Sequence, residues 1–157
     1  MTHVVLTHRG PIALLADSQL LFGGGKGEQL SQWVEVQITA RQTADTIKKA
    51  VYIGASNGNA IEFYLMATDI CRQWGIDRVV HVKNINELTA LSAEDIAVVI
   101  LAGGDVVLGW DFLSLPSVKR WLDDYTQTNG LIIGISAGAI HLASAFSKDH
   151  DSSKYFL

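Results

Sequence analysis

The residues with the most chemical content lie at Gly134-Ile135-Ser136-Ala137-Gly138, a G-x-S-x-G pentapeptide. An apolar β-type run, Leu131-Ile132-Ile133, enters it, and a helix-forming run, Ala139 to Ala145, leaves it. A strand that turns sharply into a helix lifts one side chain clear of the strand end. Its neighbours must then be small, which is the grammar of a nucleophile elbow. The following helix would aim its free N–H groups and positive dipole end at Ser136. Acyl transfer also needs donors at the developing oxyanion, commonly backbone N–H groups. The elbow itself offers Ala137. Gly104, in Ala102-Gly103-Gly104-Asp105, is a second candidate because glycine lets backbone approach closely.

Positioning these groups requires a sheet. Continuous apolar runs at Pro11–Ala16, Ala50–Ala55 and Ile96–Leu101, with the shorter Val79–Val82, read as parallel strands covered on both faces. Between them, a helix is predicted from about Asn59 to Trp74 with a stripe of Ile61, Tyr64, Leu65, Thr68 and Cys71 or Arg72. Further helices are predicted from Asn84 to Ser92 and from Ser117 to Tyr125, after Pro116. The alternation predicts an α/β fold: three layers, a mostly parallel sheet with helices on both faces, in one domain over 1–157. Val4–Thr7 reads as an edge strand or a frayed start, and Gly23–Gly27 as a mobile loop. Residues 30–49 are ambiguous, since Leu30, Trp33 and Val34 have helical spacing while Val36-Gln37-Ile38-Thr39 alternates like a strand. In an open α/β sheet the site lies at the strands' carboxyl ends. Three breaks are predicted to meet there: Ala55-Ser56-Asn57-Gly58, Gly103-Gly104-Asp105 and Ser136. Ser56, Asn57 and Asp105 are the candidate substrate-binding residues. Asp105 has a second possible use, holding its own loop by a hydrogen bond to backbone.

The totals narrow the class. The 157 residues are 48% hydrophobic and 18% charged, a globular balance. A net charge of −4 without a basic cluster argues against nucleic acid as partner. The apolar runs are too short to span a membrane, and no leader pattern opens the chain, so a cytoplasmic location is expected. Cys71 is the single cysteine, which excludes an internal disulfide framework and a cysteine-based metal site. It reads as a packing residue. No cofactor and no metal are expected.

The pairing of Ile100-Leu101-Ala102-Gly103-Gly104-Asp105 with Ile133-Gly134-Ile135-Ser136-Ala137-Gly138-Ala139-Ile140 resembles the dipeptidase E and cyanophycinase family of serine peptidases. That family shares the class I glutamine amidotransferase-like fold, and Ala50–Trp74 is similar to it as well. The resemblance implies hydrolysis of short or Asp-containing peptides, with Ser136 as nucleophile and Gly104 and Ala137 as the oxyanion hole. It implies an acidic triad member shortly after the serine, matched by Asp151 and next by Asp149. The family's base histidine lies further downstream than this sequence runs, so a C-terminally truncated relative is the expectation. His150 is the local substitute, and His141 a weaker one on the helix after the elbow. His3, His8 and His81 have no such context.

Three readings follow. The first is a serine peptidase-like hydrolase. The second is a catalytically inactive relative that binds a ligand or partner. The third is a nucleotide binder of flavodoxin type that holds phosphate at Ser56-Asn57-Gly58. A sheet lacking later strands would expose an apolar edge, so a homo-oligomer is expected.

Overall fold

The computed structural model describes residues 10–22, 25–41 and 48–146. The expected early strand at Val4–Thr7, the acids Asp149 and Asp151, and His3, His8 and His150 lie outside the described residues.

Five parallel strands form one sheet: β1 (Ile12–Leu15), β2 (Lys49–Ile53), β3 (Val79–Val82), β4 (Ile96–Leu101) and β5 (Leu131–Ile135). Their spatial order is β1-β5-β4-β2-β3. Apolar side chains occupy both sides of the central strands, as the continuous runs predict. Ala50 and Tyr52 point to one face of β2, and Val51 and Ile53 to the other. Every residue of β4 is buried.

Helices cover both faces. On the first lie α1 (Lys26–Arg41) and α2 (Ile61–Gln73), which contribute Val34, Ile38, Ala67, Ile70 and Cys71 to one core. On the second lie α3 (Ile85–Thr89), α4 (Val106–Leu113), α5 (Pro116–Gln127) and α6 (Ala137–Phe146), which contribute Leu88, Leu113, Trp121, Tyr125 and Leu142 to the other. None of the described helices is long and apolar enough to cross a membrane.

One open local reading is settled and two are corrected. The alternating Val36–Thr39 belongs to α1. Ile38 is 1% exposed and Val36 63%, so residues two apart face opposite ways, as a helix requires and a strand forbids. The buried stripe of α1 is Leu30, Val34 and Ile38, four apart, and Arg41 anchors its end by donating to the carbonyls of Ile96 and Thr128. In α2 the buried residues are Ala67, Ile70 and Cys71, whereas Ile61 and Leu65 are exposed. Helix α4 was absent from the expected elements. Its sequence, VVLGWDFL, has no polar face to reveal a period, and its visible start signal is Asp105, whose carboxylate caps it by accepting from Leu108 N at 2.8 Å.

Asn84 starts α3 as expected, accepting from Glu87 N at 3.1 Å, while the Glu87 carboxylate accepts from Lys83 N at 2.7 Å. That reciprocal pair resembles a capping box placed one residue early.

Candidate active site

The strand registers align the carboxyl ends. Leu15 pairs with Ile135, Leu101 with Gly134, and Ile53 with both Leu101 and Val82. The segments that follow β1, β2, β4 and β5 therefore emerge on one rim, where a parallel α/β sheet gathers its ligands.

Ser136 sits on that rim in the turn between β5 and α6, with φ +51°. A non-glycine residue in the left-handed region costs roughly 1–2 kcal/mol, so the surrounding contacts must hold it there. They are identifiable. Its N–H donates to Leu15 O at 2.8 Å, and its carbonyl accepts from Ala139 N and Ile140 N at 3.0 and 3.1 Å. Behind it, Gly138 passes so close to β4 that an added Cβ would stand 2.2 Å from Leu101 O. The second glycine of the pentapeptide is thus a packing requirement between α6 and β4. Ala137 and Gly138 open α6, where N–H groups have no carbonyl a turn earlier to bond.

The Gly103–Gly104 segment lies against the serine. A Cβ on Gly103 would approach Ser136 Cβ to 3.3 Å. Gly104 has φ +139°, a conformation other residues rarely adopt, and it presses on Ser56, where a Cβ would meet Ser56 O at 2.2 Å. Asp105 N donates to the same carbonyl at 2.7 Å. The three strand-end breaks meet as expected, held mainly through backbone.

A cavity of 370 Å³ opens beside them. Ser136, Gly104 and Asn57 line it. Ser56, Asp105 and Ala137 do not. The Asp105 carboxylate is engaged in capping α4, the structural use foreseen for it. Ser56 is 4% exposed and packs against Gly109 and His141. Ser56 is thus buried under the loop, while Asp105 stays exposed with its carboxylate turned onto its own helix. Asn57 donates from Nδ2 to Tyr52 Oη at 3.0 Å and accepts at Oδ1 from Ala60 N at 3.2 Å, so its amide is held at the wall. Burial raises the Tyr52 pKa, with the Asn57 hydrogen bond opposing, and the phenol is protonated at neutral pH. In the Ser56–Gly58 turn, Asn57 N and Gly58 N donate to Gly54 O and Ala55 O. Donors already engaged in this way are a poor phosphate cradle, which removes the basis for the nucleotide reading.

Sequence reasoning missed Asp17 and Ser18, which follow β1 and line the cavity with Ser136. Nothing local marks them. Only the pairing of β1 with β5, distant in sequence, brings them to the serine.

Neither described histidine lines the cavity. His141 bonds through Nε2 to Val106 O at 2.8 Å and stacks on Trp110, tying α6 to α4. Its bond to a carbonyl places a proton on Nε2, and its Nδ1 is buried with no partner among the described residues. Burial lowers its pKa, against the bond to Val106 O. His81 stacks on Tyr64 at 4.5 Å, and its pKa is lowered by burial and then by Lys83, with Glu87 opposing. Cys71 lies fully in the core with its thiol pushed up to about 12 by burial, which leaves it inert. Among the described residues no cluster of His, Cys, Asp and Glu gathers that could hold a metal ion.

No family model and no curated protein matches this sequence. Solved structures do. A peptidase from an acI-B1 Actinobacterium superposes with a TM-score of 0.65 at 19% identity, over 86% of this chain and 57% of that one. A provisionally named peptidase E protein from Listeria monocytogenes EGD-e superposes with a TM-score of 0.56 at 15% identity, over 94% of this chain and 71% of that one. At these identities the likeness is one of fold. The chain has the three-layer α/β fold of peptidase E-type proteins, the group its motif pair resembles, and it spans 57% of the length of the actinobacterial peptidase.

Proposed function

We propose that this chain is a serine peptidase-like hydrolase of short peptides, with Ser136 as the nucleophile. The observation that carries the reading is the strained φ of Ser136 at a strand–helix turn, on the wall of a cavity and against Gly103. Strain of this kind persists where the surroundings enforce it, and a nucleophile elbow is such a place. In the proposed reaction Ser136 Oγ bonds to the substrate carbonyl carbon and its proton passes through a base to the departing amide nitrogen. The C–N bond breaks, and water then hydrolyses the ester. Gly104 and Ala137 would donate backbone N–H groups to the oxyanion, and the α6 dipole favours the same charge. Asn57 would contact substrate, while Ser56 and Asp105 act through the loop that they hold.

The base is assigned to His150, oriented by Asp151. His81 and His141 are both committed to packing, which supports seeking it outside the described residues. The same fact gives the alternative its one support: a relative that binds a ligand or partner without turnover, since a serine without a base is a weak nucleophile.

Intact mass after treatment with a fluorophosphonate separates the two. A single adduct on the parent chain, absent from Ser136→Ala and from His150→Ala, is the expected result. A folded parent chain that takes no adduct would leave binding as the function.

A further inference from the structure

The cavity has a chemical character that the family resemblance does not imply. Its floor is Leu21, Ile70 and Ile100, all 4% exposed or less. Its mouth carries Phe22, Phe63 and Met66, which are 47%, 51% and 40% exposed. Large apolar side chains left uncovered around an apolar cavity are a binding feature, because nothing in the fold gains from leaving them in water. At 370 Å³ the space is at the lower end of the roughly 300–1,000 Å³ of small-molecule sites.

Charge separates the substrate classes. Among the described residues that line the cavity there is no Lys, Arg or His, and Asp17 is the one carboxylate. A substrate aspartate entering this cavity would lose its hydration with no cation among the described residues to receive it, beside a residue of its own sign. An apolar side chain loses nothing by entering. Asp17 Oδ1 accepts from Gln19 N at 2.8 Å, and no hydrogen bond from the described residues engages its other oxygen. It stands two residues after Leu15, whose carbonyl holds the N–H of Ser136. An anion lining the same cavity as the proposed nucleophile matches the ammonium group of a peptide's first residue.

Resting on the proposed hydrolase reading, we infer that the cavity takes the apolar side chain of a short peptide's N-terminal residue, and that Asp17 receives its α-ammonium group. The substrates are then dipeptides or short peptides beginning with an apolar residue such as Phe or Leu, rather than with Asp.

The test is binding to the full chain carrying Ser136→Ala, read by titration calorimetry with Phe-Ala, Asp-Ala and N-acetyl-Phe-Ala. Phe-Ala should bind at least about tenfold more tightly than Asp-Ala, and acetylation should cost a similar factor. Adding Asp17→Asn should remove the penalty for acetylation. Adding Met66→Lys, at an exposed position that tolerates it, should narrow the gap between Phe-Ala and Asp-Ala. Asp-Ala binding as tightly as Phe-Ala would overturn the inference, and so would binding by none of the three, which would point to a protein segment as the occupant. Either failure, with Ser136 still labelled in the parent chain, leaves the hydrolase reading standing. A retained preference with an unlabelled serine overturns that reading and keeps the cavity's specificity.

Discussion

Helices α5 and α2, on opposite faces of the sheet, are built to different standards of closure. On the second face, α5 buries Val118, Trp121, Leu122, Tyr125 and Thr126 and turns Lys119, Arg120 and Asp124 to water. Its aromatic rings stack, Trp121 on Tyr125 at 5.6 Å, and their polar ends are satisfied: Trp121 Nε1 donates to Leu91 O and Tyr125 Oη to Leu131 O. On the first face, α2 buries Ala67, Ile70 and Cys71 but leaves Ile61, Phe63, Leu65 and Met66 exposed, and beside it lies the cavity. A helix whose only task is to cover a sheet sorts its residues by polarity. A helix that also walls a cavity keeps apolar residues at its mouth, at the expense of solubility.

This contrast breaks if the two helices respond alike to truncation. Trp121→Ala should lose about 3–5 kcal/mol of unfolding free energy, as a buried aromatic does. Phe63→Ala should stay within about 0.5 kcal/mol, as exposed positions do, while weakening ligand binding. Urea denaturation of both variants checks this, and a large loss at Phe63 would mean that the mouth is core.

The turn at Ser136 sharpens the contrast from the cavity's side. If Ser136 is held against its own conformational preference, then Ser136→Gly should gain about 1 kcal/mol while abolishing labelling. A thermal melt that falls in this variant would show the serine's backbone to be unstrained.

The smallest effect is one of pH. Burial lowers the His141 pKa below its ordinary value near 6.5, so the unfolded chain binds the proton first as pH falls. The stability this neutral ring contributes is present above about pH 6.5 and is lost as pH falls from there toward the lowered folded-state value. His81 has the same sign and adds to it. His141→Gln should therefore flatten part of the fall in melting temperature between pH 7.5 and 5.5. An unchanged slope would remove His141 from the packing account.

Much of this was legible one residue at a time. The apolar runs located β2 to β5, Asn84 marked the start of α3, and the G-x-S-x-G spacing located the strand–helix turn at Ser136, because strand burial, capping and steric crowding are local requirements. Where the local pattern was silent or double, reading failed. Val36–Thr39 satisfied two periods at once, and α4 had none. Ser56 and Asp105 read as binding residues because strand-end loops are where binding residues occur; neither lines the cavity, the Ser56 carbonyl accepts from Asp105 N, and the Asp105 carboxylate caps α4.

The sequence by itself determined which residues could do chemistry and that a parallel sheet would carry them, since residue type and spacing are enough to specify a turn, a cap or a buried strand. Only the tertiary structure decided which groups meet. Strand order brought β1 beside β5 and so Asp17 to Ser136, and helix packing drew His141 away to Val106. Neither outcome is written in any short stretch, because each depends on how segments far apart in the chain satisfy one another's burial and hydrogen bonds.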